Sequence, residues 1–282
     1  MVNNLMFSVI IPLYNKSYSV GFCIDSVLSQ DSDKYEVIIV NDGSTDGSLS
    51  VVYENYHDEI ESGLIKVIDQ FNQGVSVARN NGIRLASCDY VCFLDADDEW
   101  RSDYLSNIYR LIIDFPEADL YCLAHLVRKN FKSLIKPKHG LPENHYGYVD
   151  DFFKASSRGS VAKTSKVCVR KKAFLEVGGF PAGVVQSEDL YVWIMMAMNG
   201  RVACKMSYSM IANHVVDSSR SSRKNTIPYP LVFFSKNKKI ERTASLNKYL
   251  FSIFRVHFLY SLFQLRFKEA VLRLVYFIRV FI

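Results

Sequence analysis

Tyr90-Val91-Cys92-Phe93-Leu94-Asp95-Ala96-Asp97-Asp98-Glu99-Trp100 is the stretch on which the reading of this chain turns. The apolar run from Val91 to Leu94 stops at three carboxylates within four positions, Asp95, Asp97 and Asp98. A run of this kind suits a strand buried on both faces, as in a parallel sheet. Its carboxyl end would bring Asp95 and Asp97 to the rim where open α/β sheets bind ligands. Two residues apart in extended chain, they point the same way. Paired hard oxygen donors with open positions suit Mg²⁺ or Mn²⁺, with water and a phosphate completing the shell. The same Asp-x-Asp also suits a loop that caps a helix, where the dipole favours carboxylates. The rest of the chain has to decide between them.

Upstream, Phe7 to Ile11 is a β-branched run ended by Pro12, which cannot continue a central strand, so the ladder is expected to stop there. Val20, Ile24, Val27 and Leu28 recur at helical spacing. Tyr35 to Val40 reads as a second strand and ends in Asn41-Asp42-Gly43-Ser44-Thr45-Asp46-Gly47-Ser48. Leu64 to Asp69 reads as a third, followed by a turn at Asn72 to Ser76 and a helix over Val77 to Leu85. Strands alternating with helices predict a doubly wound, mostly parallel sheet. One polar cluster after a strand is ordinary turn chemistry. Three in succession at one rim point to a ligand site.

These clusters carry a family resemblance. Ser-Val-Ile-Ile-Pro-Leu-Tyr-Asn (8–15), Val-Asn-Asp-Gly-Ser-Thr-Asp (40–46), Asn-Gln-Gly-Val-Ser-Val-Ala-Arg-Asn-Asn-Gly (72–82) and Phe-Leu-Asp-Ala-Asp-Asp (93–98) resemble glycosyltransferase family 2 in content, order and spacing. The resemblance covers about residues 7 to 217. It implies the GT-A fold and an inverting, metal-dependent transfer from a nucleotide-activated sugar. It also implies that Pro12, Tyr14 and Asp42 border the base, with Asp42 bonding a uracil ring nitrogen. By the same resemblance Arg79 lies by the nucleotide, Asp95 by the ribose and metal, and Asp97 on the metal. Asn41 departs from the second Asp that many members carry. From the residues alone, Arg79 is a permanent cation that would add to neutralising the leaving diphosphate, and it also suits a surface helix residue paired with a carboxylate.

Further on, Lys163 to Arg170 reads as a strand before the turn Gly178-Gly179-Phe180. Ser187-Glu188-Asp189 then heads an apolar helix and resembles the family's Glu-Asp motif. A direct displacement needs a base for the acceptor hydroxyl. The resemblance points to Asp189, with Glu188 as competitor; by themselves both carboxylates also suit a helix N-terminus. His214 and the Ser residues after it resemble a loop that closes over the diphosphate, with His214 reaching the metal; by itself His214 also suits a solvated loop histidine.

Charge is unevenly spread. From Arg220 onward there are 13 Lys/Arg against two Glu, net +11, whereas residues 1–219 carry 21 Lys/Arg against 27 Asp/Glu, net −6. The tail's aromatic and aliphatic residues alternate with Arg255, Arg266, Lys268, Arg273 and Arg279. No window of it is free of charge for a span's length. The pattern predicts basic amphipathic helices on an anionic membrane surface, or helices that fold back onto the body or form an oligomer. Nothing resembles a nucleic-acid recognition module. Six cysteines without a Cys-x-x-Cys read as buried free thiols in a reducing compartment. Residues 1–4 lead into a strand without the pattern of a signal peptide.

The expected architecture is therefore an α/β GT-A domain over 1–222, nucleotide-binding to about 100 and acceptor-facing thereafter, with a helical extension over 223–282. The expected function is transfer of one sugar, from a UDP-sugar with Mn²⁺ or Mg²⁺, to a lipid-linked or surface-polysaccharide acceptor. The expected location is cytoplasmic, peripheral on the inner face of the cell membrane. A metal-dependent nucleotidyltransferase and an inactive membrane-bound scaffold are the alternatives. The first would want a Gly-rich phosphate loop where the chain has Pro12-Leu13-Tyr14-Asn15.

Overall fold

Continuous apolar runs become strands with no exposed residue. In the computed structural model, which describes residues 7–129, 133–214 and 226–281, every residue of β1 (Phe7–Leu13) is buried. Helix α1 (Val20–Leu28) follows, and then β2 (Tyr35–Asp42), again buried throughout. Short helices α2 (Ser48–Asn55) and α3 (His57–Glu61) lead to β3 (Ile65–Gln70), which closes one end of the sheet and is only partly covered. Helix α4 (Val75–Leu85) crosses back to β4 (Tyr90–Phe93), the strand of the Asp cluster. β1 pairs in parallel with β2 and β4, and β2 in parallel with β3.

After β5 (Glu99–Trp100) and α5 (Tyr104–Asp114), the long strand β6 (Ala118–Lys129) begins the second half of the sheet. Short strands β7 (Ser133–Ile135) and β8 (Tyr146–Tyr148) come next in the chain. Helix α6 (Phe152–Ser156), strand β9 (Val167–Arg170) and helix α7 (Lys171–Glu176) follow. Helix α8 (Glu188–Asn199) then leads to β10 (Arg201–His214). The sheet order is β3-β2-β1-β4-β9-β6-β10-β5. Its long ladders are parallel, and β9 runs antiparallel between β4 and β6. That reversal matters for the site, because the residues before β9 arrive at the rim where β1, β2 and β4 end.

Side chains of successive strand residues go to opposite faces, and the core divides accordingly. Val9 and Ile11 join α1 and α5 on one face. Ile10 joins α4, α7 and α8 on the other. A Cβ at Gly82 would lie 2.6 Å from Cγ2 of Ile10, so α4 sits this close to the sheet only because position 82 has no side chain.

One expectation fails instructively. Pro12 does not end β1; it pairs with Val40, and Leu13 with Asn41. The N–H of Leu94 donates to the carbonyl of Ile10 at 3.0 Å, so Ile10 and, two residues on, Pro12 face the β4 side. β4 has already stopped at Phe93. The missing N–H of Pro12 therefore costs no ladder bond.

The basic extension forms α9 (Tyr229–Lys236), α10 (Ala244–Phe263) and α11 (Phe267–Phe281). Thr243 caps α10, its Oγ1 accepting from the N–H of Leu246 at 3.1 Å. Leu231, Phe234, Leu250, Ile253 and Val280 share a core with Phe152 and Phe153 of α6. One face of the extension is thus packed on the body. All six cysteines are buried and free, as their apolar settings predict.

Candidate active site

Loops from distant parts of the sequence are laced together at the carboxyl ends of β1, β2 and β4. Asn15, in the left-handed region at φ 51°, accepts from the N–H of Thr45 at 2.8 Å through its side-chain oxygen. The N–H of Lys16 donates to Ser48 Oγ at 2.8 Å, and that of Ser17 to Asp46 Oδ2 at 3.0 Å. Pro12 is buried in the strand and Tyr14 stands exposed beside it. Asp42 is only 3% exposed. Its Oδ1 accepts from Gln70 Nε2 and the N–H of Gln73, both at 2.8 Å, and its Oδ2 from the N–H of Gly74 at 2.9 Å. Asp42 thereby fixes the turn that starts α4, a duty the sequence does not advertise.

The carboxylate cluster is a turn and not extended chain. β4 ends at Phe93, and the N–H of Asp98 donates to the carbonyl of Asp95 at 2.9 Å. Strand alternation therefore does not align Asp95 with Asp97, and each meets a different cation. Asp95 Oδ1 accepts from Arg79 Nη2 at 2.6 Å, while Asp97 Oδ2 lies 3.2 Å from Lys16 Nζ. Asp98 is buried, accepting from Ser165 Oγ at 2.6 Å and from the N–H of Asn213 at 3.1 Å. Burial, with Asp97 and Asp95 adding to it, raises its carboxyl to about 6 against the opposing charge of Lys163. Ser165 is held from the other side by Trp100, whose Nε1 donates to its carbonyl at 2.7 Å. Here the sequence reading needs a second correction. Thr164–Lys166 is a 3₁₀ turn and the strand begins only at Val167, which leaves Thr164 and Ser165 at the rim.

Arg79 is the hub. It is 4% exposed, with Nη2 on Asp95 and Nη1 3.2 Å from Glu188 Oε1, and its guanidinium lies 5.0 Å from the ring centre of Phe180. Burial disfavours its charge, but Asp95 and Glu188 outweigh that and raise its pKa. It is paired with carboxylates, as one reading had it, but inside the molecule and with two of them. Next to it, Asn80 bonds both backbone groups of Phe180, at 2.7 and 3.0 Å, and so clamps the Gly178-Gly179-Phe180 turn onto α4.

Ser187, at φ 59°, turns the chain into α8 and presents Glu188 and Asp189 at its start. Asp189 accepts from Thr164 Oγ1 at 3.4 Å and from the N–H of Leu190 at 2.8 Å. Burial first, and Glu188 second, raise its carboxyl to about 6, with Arg79 opposing. A carboxylate near 6 is ionised at neutral pH yet basic enough to take a proton. His214 is the last described residue of β10; its side chain, and the serine-rich stretch of sequence after it, lie outside the described residues.

Asp95, Asp97, Arg79, Glu188 and Asp189 thus come together, with Asp42 supporting the turn before α4. Lys16, Thr164, Ser165 and Asn213 join them unannounced by the sequence reading. Only Lys16 had a local signal, standing directly after the Tyr14-Asn15 pair.

A model of glycosyl transferase family 2 matches residues 8–175. The chain is 37% identical over 113 residues to the glycosyltransferase GlyA of Streptococcus pneumoniae, a match covering 40% of this chain and 16% of that protein. It is 40% identical over 113 residues to the amylovoran biosynthesis glycosyltransferase AmsB of Erwinia amylovora, covering 39% of this chain and 37% of that one. A longer match, 28% over 220 residues, is to the putative teichuronic acid biosynthesis glycosyltransferase TuaG of Bacillus subtilis, covering 78% and 82%. The chain therefore spans well under half of the first two of these. In fold it is similar to S. aureus TarS 1-349 in complex with UDP-GlcNAc, at TM-score 0.73 and 19% identity over 89% of this chain and 73% of that one. It is also similar to the mannosyltransferase PcManGT from Pyrobaculum calidifontis in complex with GDP-Man and Mn²⁺. That likeness has TM-score 0.61 and 17% identity, over 97% and 85% of the two chains.

Proposed function

This chain belongs to glycosyl transferase family 2, and from that premise we propose that it is an inverting transferase acting at the inner face of the cell membrane. It moves one sugar from a UDP-sugar to a lipid-linked or surface-polysaccharide acceptor. The observation that carries this reading is the chain of charges Asp95–Arg79–Glu188 running on to Asp189, assembled at one rim from three separate segments. Relatives named for amylovoran and teichuronic acid biosynthesis support the acceptor class. Fold neighbours bound to UDP-GlcNAc and GDP-Man support the donor class.

Asp97 and Asp95 fit a divalent ion. They are hard oxygen donors, and an ammonium already stands 3.2 Å from Asp97 Oδ2, where the local field favours a cation. Among the described residues no group of three His, Cys, Asp or Glu side chains is set to hold a metal ion, so the donor's phosphates and water would supply the remaining ligands. Mn²⁺ or Mg²⁺ held there would neutralise the charge that develops on the diphosphate as it leaves. The chain's own residues do the rest. Arg79 holds Asp95 and Glu188 in register. Asp189 takes the proton of the acceptor hydroxyl as that oxygen bonds to the anomeric carbon and the bond to the diphosphate breaks.

The test is calorimetric titration of UDP, dTDP and GDP, each with and without Mn²⁺, followed by assay of sugar-nucleotide hydrolysis. UDP should bind tightest and need the metal; no binding of any nucleotide would remove the transferase reading. In the hydrolysis assay, Asp42→Ala should raise KM more than it lowers kcat, because contacts to the base act on ground and transition states alike. An unchanged KM would place the base elsewhere.

A further inference from the structure

The helices of the extension separate their apolar residues into two sets. Tyr249, Leu250, Ile253, Phe254 and Val280 face inward, and Phe254 stacks on Phe277 with ring centres 4.5 Å apart. Aromatic residues that alternate along the sequence thus serve partly to pack the two helices together. The outer set has no such duty. Phe263, Leu265 and Phe267, at the tip of the α10–α11 hairpin, are 82, 75 and 62% exposed, and Val256, Val271 and Leu272 continue the apolar surface along the two helices. Leu265 even adopts a left-handed conformation, φ 55°, where Gly or Asn would fit more easily. An apolar tip is kept in spite of that.

Charge decides what covers this face. Residues 244–281 carry six Lys/Arg and one Glu. Arg255, Lys268 and Arg279 are exposed, while the single acid, Glu269, lies 3.7 Å from Arg266 and 4.0 Å from Arg273. Pairing with a second copy would oppose two faces of the same sign. An anionic bilayer offers both hydrocarbon and counter-charge. No helix of the described residues is long and apolar enough to cross a membrane.

The hairpin is also tied to the site. Gln186, two residues before Glu188, lies with Nε2 3.3 Å from His257 Nδ1 and accepts from Thr226 Oγ1 at 2.7 Å. Arg273, buried between the helices, donates to the carbonyls of His257 and Thr226 at 2.6 and 3.1 Å. We infer that the outer face of the α10–α11 hairpin docks flat on an anionic lipid surface, with Phe263, Leu265 and Phe267 inserted, so that the Glu188–Asp189 turn is held beside the bilayer. This deepens the membrane part of the proposed function and rests on it.

Co-sedimentation of the full chain with phosphatidylcholine vesicles, with and without phosphatidylglycerol, tests the inference. The chain should bind the anionic vesicles at low salt and keep a weaker binding at high salt, because the inserted side chains are not screened. Lys268→Gln with Arg279→Gln should weaken binding to anionic vesicles roughly fivefold per charge. Phe263→Ser with Leu265→Ser and Phe267→Ser should abolish the salt-resistant part, with UDP-sugar hydrolysis in solution unchanged. Equal binding by parent and triple variant would overturn the inference, as would no binding at all. So would a dimer in sedimentation velocity that the triple variant disperses. If the parent hydrolyses UDP-sugar but ignores vesicles, the docking surface fails while the transferase reading stands.

Discussion

Asp189→Asn is expected to bind donor as the parent does and to transfer sugar about 10²- to 10⁴-fold more slowly, the usual worth of a general base. The amide keeps the shape and the bond to Thr164 but cannot take the proton. Folding should not confuse the result. The raised pKa of Asp189, about 6, means that the folded state holds this proton more tightly than the unfolded one. The stability it confers is full below the ordinary carboxylate range and is lost as pH rises through about 6. At neutral pH the ionised carboxylate is a net cost that the amide escapes, so the variant should melt at or above the parent. The parent's own kcat/KM should fall about tenfold per unit below that pKa, as the base becomes protonated, and level off above it. A large loss in Glu188→Gln with little in Asp189→Asn would move the base one residue back. The ion pair of Glu188 with Arg79 argues against that, since a carboxylate already neutralised is a poorer base.

Asp97→Asn, or chelation of the parent with EDTA, is expected to lower transfer by on the order of 10³-fold, about 4 kcal/mol of barrier. The leaving diphosphate gains charge as its bond to the sugar breaks, and without a counter-ion that charge falls on Lys16 and Arg79. Arg79 is committed to Asp95 and Glu188. The Asp97–Lys16 pair is largely buried, its side chains 13 and 17% exposed, so its loss should also lower stability. Thermal melting separates the two effects, and Mn²⁺ titration by paramagnetic resonance reports the site independently of turnover. Full activity under chelation would remove the metal from the mechanism.

How much of this was legible depended on how local each signal was. The Tyr90 to Asp98 stretch announced a strand and a carboxylate rim, because apolar runs and Asp clusters are read directly from neighbours. The parallel first half of the sheet followed from its alternation with helices. Thr164 and Ser165 were not legible, because they reach the rim only through the reversal of β9, and sequence does not state strand direction. Arg79 was placed by the nucleotide only through the family resemblance; its neighbours left a surface residue open, because its partners, Asp95 and Glu188, are brought to it by the fold. Pro12 misled for a related reason: its effect depended on where another strand stops. In the extension, composition revealed the basic aromatic character. Which aromatics pack inward, Phe254 and Phe277 among them, and which stay outside awaited the hairpin's contacts with the body.

Stereochemistry at the transferred sugar tests the central assignment most directly. If Asp189 deprotonates the acceptor for a single displacement, proton NMR of the product should show the anomeric configuration opposite to that of the donor. A product with retained configuration would contradict that assignment.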